Sequence, residues 1–241
     1  MICLMVFLGW SNTGDQMNPA VAIIPARGGS KGVADKNLRE VGGISLVERA
    51  IITAKDTSQI NTVIVSTDSE NIAAQAESAG AEIVYRPNDL AGDGASSESA
   101  IIHALESWYE SRGLLPDITL FMQCTSPFTS SKDIGRAIEM VSSDRADVAF
   151  SVTLWHGFLW RQGDSGLEPI NHPGDYRPRR QDLDKVVKET GGFYAMNTQG
   201  FLNARYRFFG HVEGIRIESR LSLDIDTEDD LELANVLVAQ L

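Results

Sequence analysis

Val21-Ala22-Ile23-Ile24, followed by Pro25-Ala26-Arg27-Gly28-Gly29-Ser30-Lys31-Gly32-Val33-Ala34-Asp35-Lys36-Asn37, is the stretch around which the rest of the chain is organised. The apolar run reads as a buried strand. It empties into a loop carrying three glycines, Arg27, Lys31 and Lys36, so bare backbone N–H groups and mobile cations are offered together. That combination suits a polyanion, with a nucleoside triphosphate as the natural candidate. The spacing matches neither the GxxxxGK phosphate loop nor GxGxxG, and by itself it also fits a basic turn that needs glycine for backbone reasons.

Outward from the loop, strand and helix patterns alternate. Ser45 is placed to cap a helix whose apolar face carries Val47, Ala50, Ile51 and Ala54. Residues 62–66 read as a strand, Asp68 as the cap of a helix over 69–79 ended by Gly80, and 82–85 as a further strand. Helix 97–112, with Ile101, Ala104, Leu105 and Trp108 on one face, is followed by strand 118–123, helix 130–142 and strand 147–153. This alternation predicts parallel strands in a layered α/β fold. From Trp155 to Lys188 the periodicity lapses and Gly and Pro are scattered, which predicts an excursion from the core. Regularity returns with strand 193–196, a short helix near 199–204, strand 212–217, and a last helix capped by Asp226 or Thr227 with Leu231, Ala234 and Val238 inward. In open α/β sheets, ligands sit at the carboxyl ends of the strands, so the loops after Ile24, Ser66, Tyr85 and Gln123 should converge on one cleft.

The 241 residues, 43% of them hydrophobic, suffice for one domain with a sizeable core. A net charge of -12 argues against nucleic acid or an anionic membrane as partner, so positive charge has to act locally. Two cysteines, Cys3 and Cys124, give no disulfide framework and point to a cytoplasmic setting. Residues 1–17 begin with an apolar stretch that lacks a basic region and a cleavage site; they read as a loosely attached tail, with Met17 as an alternative start. Residues 18–241 then form the domain.

Four further segments are polar where the fold brings strand ends together. Arg86-Pro87, Asp93 and Ser96-Ser97 open a helix whose amides and hydroxyls suit a base or ribose, although Ser97 also fits a simple cap. Gln123-Cys124-Thr125-Ser126-Pro127 sets an amide and two hydroxyls at a strand end, where a turn is the plainer account. Arg177-Pro178-Arg179-Arg180-Gln181-Asp182 is a basic cluster in an acidic chain, suited to an anion or simply solvated. In Leu223-Asp224-Ile225-Asp226-Thr227 two alternating carboxylates share a face and suit Mg²⁺, which completes its shell with water and substrate phosphates. The four histidines show no HxxxH or HExxH spacing, leaving zinc chemistry without support.

Taken in order, Ala-Arg-Gly-Gly-Ser-Lys-Gly with Lys36-Asn37, Val65-Ser66-Thr67-Asp68, Arg86-Pro87 with Asp93 and Ser96-Ser97, Gln-x-Thr-Ser-Pro, Arg-Arg-Gln-Asp, Gly-Gly-Phe-Tyr and Asp-Ile-Asp-Thr resemble the acylneuraminate cytidylyltransferases from Val21 to the C-terminus. The resemblance implies a three-layer, Rossmann-like nucleotide-diphospho-sugar transferase fold, mostly parallel, with 155–190 as a protruding dimerisation arm and Trp155, Phe158 and Trp160 as its anchors. It implies transfer of CMP from CTP to the anomeric hydroxyl of a nonulosonic acid by Mg²⁺-assisted in-line displacement, with release of pyrophosphate from a homodimer. Arg27, Gly28, Gly29, Ser30, Lys31 and Lys36 would hold the triphosphate, Asn37 the nucleotide near its ribose, and Arg86 and Ser97 the cytosine side. Gln123, Thr125, Ser126 and Tyr194 would contact the sugar, Arg180 its carboxylate, and Asp224 with Asp226 the Mg²⁺; Arg27, Lys36 and the two aspartates form the catalytic set.

The chain departs from the family pattern at Leu183-Asp184, at Thr190-Gly191 and at Lys188, which stands where an arginine is usual. Lysine cannot reproduce a bidentate carboxylate clamp, so the choice of sugar is the open point. A related keto sugar acid such as 3-deoxyoctulosonate, or a nucleotide-binding module without turnover, are the competing expectations.

Overall fold

The computed structural model describes residues 20–29, 32–90, 92, 94, 96–182 and 186–241, without the side chains of Asn88 and Arg180. The expected tail, Ser30, Lys31, Asp93 and Leu183-Asp184 lie outside the described residues.

The elements follow the predicted alternation. In chain order they are β1 (Ala20–Pro25), the short pair β2 (Glu40–Val41) and β3 (Ile44–Ser45), α1 (Leu46–Lys55), β4 (Ile60–Thr67), α2 (Glu70–Ser78) and β5 (Glu82–Tyr85). Then come α3 (Ser97–Arg112), β6 (Ile118–Met122), α4 (Ser131–Ser142), β7 (Val148–Trp155), β8 (Trp160–Gly163) and β9 (Gly166–Pro169). The chain ends with β10 (Val186–Asn197), α5 (Thr198–Ala204), β11 (Val212–Arg216) and α6 (Glu228–Val238). The predicted cap forms at Ser45, whose hydroxyl accepts from Glu48 N, and Ser130, expected as the first residue of its helix, caps α4 by accepting from Asp133 N. Ser69 rather than Asp68 caps α2, and of the two candidates for α6 it is Thr227 that caps it, in a reciprocal box with Asp230. Both outcomes leave an aspartate side chain at a strand end unengaged by its helix.

Among the described residues the main sheet has seven strands in the order β11-β7-β10-β6-β1-β4-β5. Its neighbours pair in parallel except β10, which is antiparallel to both β6 and β7. The physical reason lies in the connection. Chain leaving the carboxyl end of β7 makes an excursion and comes straight back, with no helix to carry it to the far end, so it re-enters in the opposite direction. Val186 therefore pairs with Trp155, and both ends of the excursion sit at the carboxyl edge of the sheet.

Two apolar layers sandwich the sheet. Val47, Ile51, Ile72, Ile134, Ile138, Leu231 and Ala234 pack against Ala22, Ile24, Leu120 and Phe193 on one face. Ile101, Leu105, Trp108 and Phe201 pack against Val21, Ile23, Phe121 and Tyr194 on the other. β1 alternates between the two layers and is buried from Ala20 to Ile24, as expected of a central parallel strand. The excursion is less irregular than its sequence predicts: β8 and β9 form a separate antiparallel hairpin, and the return strand starts at Val186, ahead of the predicted 193. Exposed Leu159, Trp160, Leu167 and Ile170 blur the periodicity there, because this segment has no sheet face of its own to bury. No described helix is long and apolar enough to cross a membrane.

Candidate active site

The glycine loop leaves β1 and is pinned on three sides. Ala26 N–H donates to Ser66 O at 2.9 Å, continuing the β1–β4 pairing one residue past the strand. The Gly28 amide donates to Asp68 Oδ1 at 2.9 Å, and Asn37 Nδ2 donates to Arg27 O at 3.0 Å. Asn37 is 7% exposed, so its amide braces the loop from beneath. Gly29 is open, with nothing within 4 Å of where a Cβ would stand. Gly32 is the opposite: a methyl group there would collide with the Asp226 backbone carbonyl. That position has to be glycine for the loop to reach the carboxylate segment.

The same contact is made by charge. Lys36 Nζ donates to Ile225 O at 2.9 Å and to Asp226 Oδ1 at 3.0 Å. Ile225 N–H in turn donates to Thr125 O at 2.8 Å, stitching the Asp224–Asp226 segment to the loop after β6. Gly191, at φ +78, completes the ring: a Cβ there would lie 3.5 Å from Gln123 Oε1 and 3.6 Å from Asp224 Oδ2. A break of register in β10 between Glu189 and Tyr194 accommodates it, and the Ser151 hydroxyl takes the Phe193 N–H that the ladder leaves over, at 3.2 Å. Gln123, Thr125, Asp224, Asp226, Lys36 and the loop thus meet at the carboxyl edge of β1 and β6.

The electrostatics of this corner are uneven. Burial, foremost, holds the Asp224 carboxyl above the ordinary carboxylate range, and neighbouring Asp226 adds to it, while Thr125 and Lys36 act in the opposite direction. Asp224 Oδ1 is buried without a hydrogen-bond partner. A buried, unmatched carboxylate oxygen beside a second carboxylate fits a hard cation. Among the described residues no group of three or more His, Cys, Asp or Glu side chains forms, so a cation here would take two carboxylates and draw its remaining ligands from water or substrate.

Arg86 sits on the other flank of the loop. Its Nε donates to Ser66 Oγ at 2.9 Å and its Nη2 to Ser66 O at 2.6 Å, holding the guanidinium half-buried. Burial lowers its pKa, with Arg27 acting in the same direction and Asp68 against it, which places the two arginines and the aspartate within one field. Cys124, fully buried, has its thiol pushed up to about 12 and is chemically inert. Ser126 Oγ is buried with no partner.

Other predicted residues are placed differently. Ser97 opens the first turn of α3, with Ser96 as the cap, on the second face of the sheet. Tyr194 is 1% exposed, stacked in the core, and its hydroxyl donates to Glu189, so it meets the rim through that residue and not directly. Arg180 lies in a single turn over Arg180–Asp182 in the excursion, its side chain outside the described residues. Lys188 has its Nζ 5.8 Å from the Trp155 ring. A cavity of about 600 Å³ within the excursion is lined by Trp155, His156, Tyr176, Arg177, Arg179 and Asp182. Two residues outside the expected site set stand beside the loop: Asp68, expected only as a helix cap, anchors it, and Ser66 seats Arg86, a role that shows only when β4 and β5 are aligned.

The chain is 34% identical over 221 residues to N-acylneuraminate cytidylyltransferase A of Danio rerio, covering 88% of this chain and 49% of the relative. To the N-acylneuraminate cytidylyltransferase of Escherichia coli it is 34% identical over 219 residues, 89% of this chain and 51% of the relative. To the pseudaminic acid cytidylyltransferase of Campylobacter jejuni it is 28% identical over 221 residues, covering 90% and 95%. The chain therefore spans about half the length of the two N-acylneuraminate relatives. In fold it is similar to a CMP:2-keto-3-deoxy-manno-octonic acid synthetase structure complexed with CTP, at a TM-score of 0.69 and 18% identity over 92% of this chain and 99% of that one. Residues 21–237, the whole span from the first core strand into the last helix, match the cytidylyltransferase family, and the chain belongs to it.

Proposed function

We propose that this chain transfers CMP from CTP to the anomeric hydroxyl of a nonulosonic acid, releasing pyrophosphate. The observation that carries the proposal is the junction of the glycine loop with the Asp224–Asp226 segment, made by Lys36 and by the close approach of Gly32. It sets phosphate-binding groups and carboxylates at one point, as nucleotidyl transfer requires. Sequence likeness to N-acylneuraminate and pseudaminic acid cytidylyltransferases supports the sugar class.

In this scheme Arg27, Lys31 and Lys36, with the amides around Gly29 and Ser30, bind the triphosphate, and Gly28 and Asn37 keep the loop in shape through Asp68 and the Arg27 carbonyl. Arg86 and the first turn of α3 at Ser97 flank the nucleoside. Gln123, Thr125, Ser126 and the Thr190–Gly192 turn face the sugar, whose carboxylate is left to Arg180. Asp224 and Asp226 would hold Mg²⁺, which when bound screens phosphate charge and polarises the attacked phosphoryl group. The sugar hydroxyl attacks the α-phosphorus in line and gives its proton to solvent as the new O–P bond forms, and pyrophosphate leaves with the bridging oxygen as the bond from the α-phosphorus to that oxygen breaks. Most of the acceleration then comes from orientation and from cations fixed before reaction.

The excursion over 155–190 is proposed as a contact with a second copy of the chain, since Leu159, Trp160, Leu167 and Ile170 leave apolar surface on it. The direct test is pyrophosphate release from CTP with Mg²⁺ and a panel of N-acetylneuraminate, its deaminated analogue, legionaminate, pseudaminate and 3-deoxyoctulosonate. Turnover with one or more nonulosonic acids is expected; turnover with 3-deoxyoctulosonate alone would reassign the sugar, and release with none would reduce the chain to a nucleotide-binding module.

A further inference from the structure

Against the second face of the sheet, four side chains form a continuous link that the scheme above leaves unused. Arg207 Nε donates to Glu98 Oε1 at 2.7 Å, and the two side chains are 17% and 10% exposed. The Arg207 guanidinium lies 4.8 Å from the Tyr194 ring centroid and 4.9 Å from that of Phe121. Tyr194 is stacked between Phe121, at 5.2 Å, and Phe150, at 6.0 Å, with Phe208 edge-on at 5.9 Å. Its hydroxyl donates to Glu189 Oε1. Burial, with Glu189 beside it, raises the phenol pKa, so the proton stays on Tyr194 and the donation holds at any working pH.

A nearly buried ion pair adds little to stability over an apolar replacement, because both charges lose water. What such a pair does supply is a fixed geometry, and here the link runs from α3 to the strand that carries Gly191 into the site. Glu98 is in the first turn of α3, next to Ser97. Glu189 immediately precedes Thr190 and Gly191, and Gly191 lies against Gln123 and Asp224. Thr190 is itself locked by its hydroxyl donating to Ser151 Oγ at 2.7 Å, so the backbone between Glu189 and the site is held at both sides. Glu189 remains exposed although Tyr194 engages one of its oxygens, which leaves acceptor capacity toward solvent or ligand.

We propose, on the premise that the cleft takes a keto sugar acid, that Arg207 is a positioning residue for its sugar half: through Tyr194 it fixes Glu189, whose carboxylate accepts a hydrogen bond from a hydroxyl or amide N–H of the sugar. Specificity then has a component from the second face of the sheet, away from the phosphate loop. A sugar acid without a donor at that point loses the contact, and CTP binding is untouched.

The test uses the full chain and four variants. Steady-state pyrophosphate release is measured with CTP and sugar varied in turn, and dissociation constants for N-acetylneuraminate and pseudaminate are measured by ligand-observed NMR, which needs no turnover. Glu189→Ala, at an exposed position, should raise the sugar KM and Kd about tenfold, the scale of one lost hydrogen bond to a charged group, and leave the CTP KM within about twofold. Tyr194→Phe keeps the ring, removes the donor and should move the sugar constants in the same direction. Arg207→Lys should retain tighter sugar binding than Arg207→Met, which a purely structural role of the pair does not predict at equal melting temperature. Unchanged sugar constants in Glu189→Ala, parallel losses for CTP and sugar, or a wild-type chain that binds neither sugar would each overturn the proposal. A wild type that binds sugar but releases no pyrophosphate would instead defeat the transfer reaction, while the binding constants still decide the role of Arg207.

Discussion

Asp224 is where function and stability pull apart. Its carboxyl is held above the ordinary value of 3.8, chiefly by burial, and one of its oxygens has no partner. A carboxyl raised on folding favours the fold in acid, where it is neutral, and that contribution is lost as pH climbs through the raised pKa. At neutral pH the chain therefore carries a buried charge that Thr125 and Lys36 offset only in part. Asp224→Asn should raise the melting temperature in EDTA at pH 7, by roughly 2–4 °C for each kcal/mol recovered, and the gain should vanish below the ordinary carboxyl pKa, where wild type is already neutral. In the same variant turnover should fall by about a hundredfold or more, the scale of losing a principal electrostatic group, and the rise in melting temperature that Mg²⁺ gives wild type should disappear. Differential scanning fluorimetry across pH, with and without Mg²⁺, reads both effects. Lys36→Met should have a mixed outcome for a related reason: it removes a cation bonded to Asp226 Oδ1, so CTP binding weakens while the carboxylates lose a competitor. Cys124 supplies a control on burial, since a thiol pushed up to about 12 should resist iodoacetamide in the native chain at pH 8 and react once the chain is unfolded.

At the scale of elements, the parts written in local pattern could be read directly. The β1 core, the cap at Ser45 and the order of strands and helices follow from apolar spacing and cap chemistry, which act within a few residues. What escaped the sequence depends on partners far along the chain. Asp68 could be assigned to α2 until the Gly28 amide, 40 residues away, is seen to claim its carboxylate. Asp226 or Thr227 could cap α6 until Lys36, 190 residues away, takes Asp226. The antiparallel entry of β10 is set by the path of the excursion, and no period in its own residues announces it. Of the candidate site, the residues and the convergence of the strand-end loops were legible; the approach of Gly191 to Gln123 and Asp224 was not, because it depends on a break of register in β10. Gly32 tests that grouping at the level of the loop. Gly32→Ala should drive the loop off the Asp226 carbonyl, lower stability by about 1–3 kcal/mol and reduce kcat/KM for CTP, whereas Gly29→Ala, with open space around it, should leave the melting temperature unchanged.

For the molecule as a whole, an acidic chain proposed to handle two anionic substrates has to concentrate its cations. Lys36 is held at the sheet's carboxyl edge by the Ile225 carbonyl and the Asp226 carboxylate and Arg86 by the Ser66 hydroxyl and carbonyl, and Arg177 and Arg179 line the cavity in the excursion. With net charge -12, both substrates approach against a repulsive far field, so their association should speed up with moderate salt until local pairs are screened. The apolar hairpin β8–β9 should bury itself in a dimer, and sedimentation velocity should show a two-chain species that Trp160→Glu with Leu167→Glu converts to a monomer. The account stands or falls on whether the glycine loop and the Asp224–Asp226 segment are two halves of one transferring site. Incubation of the chain with α-³²P-labelled CTP, Mg²⁺ and a nonulosonic acid, followed by chromatography, tests this most directly. Label should appear in a CMP-sugar with the wild type and be lost in Asp226→Asn and in EDTA; label that stays in CTP, or transfers equally well in both controls, would contradict it.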